Sequence, residues 1–151
     1  MNYTIFSPAD FKKHISTVET TTSFFHTPAG ILRTESTSVG MYRATFIDEK
    51  IHETQLSQLD DLTALSFILV GTPFQIKVWQ ELTTMNVKTM HYQALAEKIG
   101  HSHSYRAVAQ ALARNKIAYF IPCHRIVQKN GALGGYRWGI NRKKMLLESM
   151  I

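Results

Sequence analysis

The sequence predicts an α+β fold, with a small N-terminal antiparallel sheet followed by a mainly helical domain built on a helix-turn-helix. Residues 23–47 hold short β-branched, aromatic or alternating runs separated by Gly and Pro, the pattern of strands joined by turns. Beyond residue 72, apolar residues recur at three- and four-residue spacing, the pattern of helices with one buried face. Two of those helical stretches are separated by a short turn containing Gly100.

Residues 1–20 mix polar and apolar positions without a clean period. Ser23-Phe24-Phe25-His26-Thr27, a Pro28-Ala29-Gly30 turn and Ile31-Leu32-Arg33-Thr34-Glu35 read as two strands. After a break at Gly40, Met41 to Ile47 alternates as a half-buried strand should. Glu53 to Leu62 reads as a short helix, and Leu65 to Val70 as a buried strand. The half from 1 to 70 is therefore expected to be a β-rich support domain with little helical cover, and 71–151 the working domain.

Gly71-Thr72-Pro73 marks the boundary, with Thr72 suited to an N-cap and Pro73 to the first helical position. Phe74, Val78 and Leu82 then repeat every four residues beside Trp79. Tyr92 to Ile99 forms the next helix, stopped by Gly100. Ser104 can cap the following one, which runs to Asn115 with Val108, Ala111 and Leu112 inward. That second helix is small-sided, with arginines near both ends. A smooth alanine face lets a helix press close to a groove wall while Arg106 and Arg114 meet phosphates or enter the base stack. Alanine's high helix propensity is an equally good reason for its presence there. Gln128 to Gly131 is a polar turn, and Gly134 to Gly139 a loop bearing aromatics. Asn141 is expected to cap a last, basic helix with Met145, Leu146 and Met150 on its buried side.

No apolar stretch approaches the ~20 residues of a membrane span, and no secretory signal is expected at the N-terminus. The single cysteine, Cys123, excludes an internal disulfide and fits a reducing cytoplasm. The net charge of +6 is unevenly placed, with basic residues crowding the last third and acidic ones lying earlier, which favours a nucleic-acid face in the C-terminal half. His101 and His103 lack acidic or cysteine companions, so no metal is expected.

The candidate chemistry lies at Ile121-Pro122-Cys123-His124-Arg125. The apolar run Ile117 to Ile121, stopped by Pro122, reads as a short buried strand that delivers Cys123 to the floor of a cleft. A lone cysteine is most often a small buried hydrophobe. Proline on one side and the charged pair His124-Arg125 on the other favour a reactive thiol instead, since a nearby histidine helps form the thiolate.

Pro122-Cys123-His124-Arg125-Ile126-Val127 resembles the acceptor-cysteine signature of the O6-alkylguanine-DNA alkyltransferases (methylated-DNA–protein-cysteine methyltransferases). The similarity runs from Gly71 to about Leu147, roughly half the chain, and includes Gly71-Thr72-Pro73-Phe74-Gln75 with Val78-Trp79, and Gly135-Tyr136-Arg137-Trp138-Gly139. It implies a winged-helix-like C-terminal domain and direct, irreversible transfer of an alkyl group from O6-alkylguanine in duplex DNA to Cys123. O4-alkylthymine is a further candidate substrate. It implies no cofactor, no membrane partner and a monomer. By the same resemblance His124 would draw off the thiol proton through a bridging water. Arg106 would fill the space left by the flipped base, and Tyr92 would crowd the 3′ phosphate and lend its hydroxyl to the guanine. Asn115 would brace the turn entering the cysteine segment. Tyr136, Arg137 and Trp138 would wall the pocket, and Tyr105, Ala107, Ala109, Arg114 and Arg125 would complete the DNA-facing set.

The chain departs from the family pattern in three places. A glutamate normally follows the Lys-x-x-Leu-Leu helix by three residues and holds the histidine; here Met150 stands there. Glu148 is two residues away, about 200° around a helix. Cys123 is accordingly expected to keep a thiol pKa near the ordinary ~8.5. Tyr105 stands where the family carries a small residue. The N-terminal half is short and lacks the zinc-ligating cysteines of some relatives. Two other classes compete: a lesion-binding module without transfer, which typically lacks the acceptor cysteine, and a helix-turn-helix regulator, which would want longer base-reading side chains than alanine.

Overall fold

The computed structural model describes residues 2–58 and 65–150. The chain divides into two compact units, Met1–Thr72 and Pro73–Ile151.

In the first unit, β2 (Thr21–Thr27), β3 (Gly30–Ser36) and β4 (Met41–Ile47) form an antiparallel meander. Alternation decides which side chains go inward: Phe25, Leu32, Ala44 and Phe46 are buried, while their neighbours along each strand are less so. The sheet as a whole is mixed, which corrects the expectation of an antiparallel one. Its order is β1-β5-β4-β3-β2, and β5 (Ser66–Val70) runs parallel to both β1 (Asn2–Phe6) and β4. The pairing of Asn2–Phe6 with Ser66–Val70 joins segments some sixty residues apart. No local pattern could announce it.

Between β1 and β2 lies α1 (Pro8–Thr17), a helix absent from the sequence reading. Ser7 caps it by accepting from the Asp10 amide at 3.1 Å, and Pro8 takes the first turn. Its inward stripe, Phe11, His14, Ile15 and Val18, is only half-buried and includes a histidine, which blurs the amphipathic period. His14 stacks on Phe6 at 5.0 Å and pairs through Nε2 with Thr37 Oγ1 at 3.0 Å. Of the expected helix from Glu53 to Leu62, Glu53–Gln55 is a single 3₁₀ turn; residues 59–62 lie outside the described residues.

The second unit opens with α2 (Pro73–Thr83), which buries Ile76, Val78, Trp79 and Leu82. It packs against α4 (Tyr105–Ala113), and Trp79 Nε1 donates to the Ala111 carbonyl at 2.8 Å. Between them α3 (Tyr92–Lys98) buries Leu95 and Ala96, and Gly100 follows with φ 78°. Ser104 occupies the N-cap position of α4, although its side chain makes no capping bond. Ile117 to Ile121 is buried as expected, yet it is a series of tight turns rather than a strand, with Tyr119 at φ 70°. The true strand comes after the cysteine: β7 (Ile126–Val127) pairs in parallel with β6 (Met90–His91). The last helix, α5 (Ile140–Glu148), starts after Gly139, so Asn141 lies inside it instead of capping it. Met145 is 49% exposed, a second correction; Lys143 takes its place on the buried side with Leu146 and Leu147.

Gly40 is the tight point of the first unit. A Cβ there would sit 2.8 Å from the Ser66 carbonyl oxygen and 3.0 Å from the Phe67 amide, both unyielding backbone. Gly40→Ala should therefore push β4 from β5 and cost about 1–3 kcal/mol. Thermal melting checks this, and an unchanged midpoint would refute the close approach.

Candidate functional site

The short β6–β7 ladder positions the site. Met90 pairs with Ile126 and His91 with Val127, so Tyr92 begins its helix beside the segment that carries Cys123. Cys123, His124 and Arg125 form a single 3₁₀ turn directly before β7. Residues from three further stretches complete a cavity of about 370 Å3 around the thiol. Tyr92 comes from α3, Ala109, Leu112 and Ala113 from α4, and Gly135, Tyr136 and Arg137 from the loop before α5.

Asn115 holds the thiol turn in place. Its Nδ2 donates to the carbonyls of Ile117 and Ile121, each at 3.2 Å, and to Cys123 Sγ at 3.4 Å. Its Oδ1 accepts from the Ile117 amide at 2.9 Å. The loop on the opposite wall is tied to the same residue, because Arg137 donates to the Asn115 carbonyl at 2.8 Å. Gly134 lets that loop pass close to Tyr92. At φ 74° it adopts the left-handed region, and a Cβ would meet the Tyr92 hydroxyl at 2.9 Å.

Lys143 is the residue that sequence reasoning missed. Its side chain is fully buried, and Nζ donates to the Ile126 carbonyl at 2.5 Å and the Gly135 carbonyl at 3.0 Å. It thereby joins the strand after Cys123 to the cavity loop, with its charge 6.0 Å from the Tyr92 ring centre. The signal was present. Lys143, Leu146 and Leu147 occupy i, i+3 and i+4, so the inward stripe of α5 has a lysine in an apolar slot.

Burial dominates the titration of these groups. It pushes the Cys123 thiol up to about 11, although the Asn115 hydrogen bond and the charges of Lys143 and Arg137 pull the other way. This corrects the expectation of an ordinary thiol. Burial, then the charges of Arg125 and Lys143, lower His124 to about 4, so its imidazole is neutral at physiological pH. Lys143 is lowered to about 8 by burial, with Cys123 acting to raise it. Burial raises Tyr92 and Tyr136 above the usual phenol range, and Cys123 adds to both shifts. The resting site thus holds a thiol, a neutral imidazole, two phenols and an ammonium.

Among the described residues, no acidic one lines the cavity. Glu148 is exposed and pairs with Lys144 at 4.0 Å, and Met150 is half-buried beyond the helix end. Among the described residues, two buried polar atoms have no hydrogen-bond partner: His124 Nδ1 and Tyr136 Oη. The rings of these two residues meet edge to face, 6.3 Å apart.

The remaining expected residues divide. Tyr105, Arg106 and Ala107 are exposed on α4 and Arg114 at its C-terminal end, while Ala109 and Ala113 of the helix reach the cavity. Trp138 is not among the lining residues, contrary to expectation. It packs behind Tyr136, ring centres 5.4 Å apart, with the Arg137 guanidinium 5.4 Å from its own ring centre. The Arg125 guanidinium donates to the carbonyls of Val87 and Lys88. Neighbouring backbone and rings thus offer both side chains partners that a one-dimensional motif does not reveal.

The electrostatics make a direct prediction. Alkylation of Cys123 by a small neutral reagent such as iodoacetamide should accelerate about tenfold per pH unit above neutrality, levelling only near the thiol pKa of about 11. Lys143→Gln keeps a donor for the two carbonyls but removes the charge, so the levelling point should move higher. A rate already flat from pH 7 would mean that the thiolate is preformed.

Residues 73–149 match the family model described as 6-O-methylguanine DNA methyltransferase, DNA binding domain. The chain is 50% identical over 93 residues to the bifunctional transcriptional activator/DNA repair enzyme Ada of Escherichia coli K12, covering 61% of this chain and 26% of that protein. It therefore spans about a quarter of that relative's length. It is 45% identical over 101 residues to the methylated-DNA–protein-cysteine methyltransferase of Mycobacterium leprae, covering 62% of this chain and 61% of the relative. Among solved structures it resembles Mycobacterium tuberculosis OGT in complex with DNA, with a TM-score of 0.69 and 29% identity, over 84% of this chain and 90% of that one.

Proposed function

Because this chain belongs to the 6-O-methylguanine DNA methyltransferase family, we propose that it repairs DNA by moving the alkyl group of O6-alkylguanine onto Cys123. The observation that carries the reading is the thiol opening into a cavity beside the arginine-bearing, alanine-faced helix α4. The cavity is of the size that holds small ligands. A base inside a duplex cannot bring its O6 within reach of a buried thiol, so the modified nucleotide must rotate out of the stack. Arg106 fills the gap, with Arg114 on the phosphates and Ala107 and Ala109 allowing close approach.

In the transfer, the Cys123 sulfur attacks the alkyl carbon, an S–C bond forms, and the C–O6 bond breaks with its electrons passing to the purine. The thiol proton leaves as the bond forms, relayed by way of His124, and the purine regains a proton. Tyr92 and Tyr136 both remain protonated, so either hydroxyl can donate to the base as its charge develops. Tyr136 is well suited, since its buried Oη has no protein partner among the described residues. Lys143 and Arg137 favour the thiolate against the desolvation that opposes it. The thioether has no route back, so each molecule acts once.

Incubation with DNA carrying O6-methylguanine should add the mass of one methyl group, mapping to the Cys123 peptide, one per lesion repaired. Cys123→Ser should bind the same DNA and gain nothing. Repeated turnover, or modification elsewhere, would overturn the reading.

Arg106→Ala should slow repair of a duplex lesion far more than reaction with a free alkylated base, because only the duplex has a gap to fill. Binding should weaken steeply as salt rises. Equal rate losses on both substrates would remove Arg106 from the flipping step.

A further inference from the structure

Tyr105 is 49% exposed at the first position of α4, and among the described residues no hydrogen bond or ring contact engages its side chain. A single exposed ring on a protein surface is ordinary. Its place on this helix is not. Residues at i, i+4 and i+7 share a helix face, so Tyr105 stands over Ala109 and Leu112. Arg106 likewise stands over Ala109 and Ala113 by the i, i+3 and i+7 spacing. Ala109, Leu112 and Ala113 all line the cavity that holds the thiol. Tyr105 and Arg106 therefore flank the same stripe, one turn ahead of the cavity, on a face otherwise kept small by alanine.

Resting on the repair reading above, we propose that Tyr105 is a second wedge beside Arg106, its ring stacking on a base that borders the gap left by the extruded nucleotide. The two side chains divide the work by chemistry. A guanidinium can fill the vacated position and bond to polar edges and phosphates. It leaves the bases above and below the gap with faces that have lost a stacking neighbour, and an aromatic ring is the side chain that covers one. Such aromatic or apolar wedges stabilise an opened base step by replacing the stacking it has lost. Tyr105 thereby makes the protein favour duplex lesions over free alkylated bases, and makes it tolerant of which bases flank the lesion, since every base offers a π-face.

The test places 2-aminopurine, a base whose fluorescence falls on stacking, next to O6-methylguanine on the same strand of a duplex, and binds it with the Cys123→Ser protein so that no transfer intervenes. With Tyr105 present the probe should be quenched; Tyr105→Ala should brighten it, and Tyr105→Phe should keep it dark. In the transfer-competent protein, Tyr105→Ala should lower the ratio of duplex to free-base repair rates about tenfold, with Tyr105→Phe near the parent value. Unchanged fluorescence and ratio in Tyr105→Ala would overturn the proposal. So would equal losses in the Ala and Phe variants, which would mark a hydroxyl contact to phosphate. Absence of any methyl transfer by the parent protein would sink the repair reading instead, and the fluorescence measurement would still decide the wedge.

Discussion

The carboxamide of Asn115 is the constraint on which the site depends. One side chain satisfies the backbone of the turns between α4 and Cys123 and also touches the sulfur. A buried turn has polar groups that no ladder can pair, and leaving them unmade costs more than their bonds gain. Asn115, itself almost wholly buried, removes that cost where helix α4 ends. The end of helix α4 and the turn that carries the thiol are therefore tied together by one residue. Arg137 extends the constraint to the opposite wall through the Asn115 carbonyl.

Lys143 performs the matching task on the other side. Its two carbonyl bonds hold the strand after Cys123 to the loop carrying Tyr136. A buried ammonium is costly unless it is well bonded, and among the described residues no carboxylate lines the cavity to neutralise it. The cavity consequently favours negative charge in whatever occupies it. The Cys123 thiolate is the anion that can arise there, and Lys143 and Arg137 favour it against the desolvation that opposes it. At rest the imidazole is neutral and the thiol protonated. The stabilisation of negative charge falls to cations.

Much of the C-terminal unit is legible in one dimension because its helices obey the 3.6-residue period and its breakers stand at their ends. Val108, Ala111 and Leu112 are buried and Arg106, Ala107 and Arg114 exposed for that reason alone. The strands Met41–Ile47 and Ser66–Val70 announce themselves through β-branched and aromatic residues. Helix α1 does not, because its stripe is shallow and carries a histidine, leaving Ser7 and Pro8 as its only clear signal. The apolar run Ile117 to Ile121 misleads: its burial is real, but composition cannot distinguish a strand from tight turns when the pairing partner is a side chain, Asn115.

By itself the sequence determined the chemistry on offer: one thiol between proline and histidine, an alanine-faced helix with arginines, and two aromatic residues in a glycine-rich loop. Those are properties of residue types and short spacings, and short spacings survive in one dimension. The tertiary structure alone decided which of these groups meet. The parallel ladder from Met90 to Ile126 brings Tyr92 beside the thiol. Trp138 is turned behind Tyr136, and Arg125 is tied to the backbone at Val87 and Lys88. Lys143 is carried into the interior, and burial raises the thiol pKa instead of lowering it. Each outcome depends on desolvation and on partners distant along the chain, quantities that exist only once the backbone has closed around them.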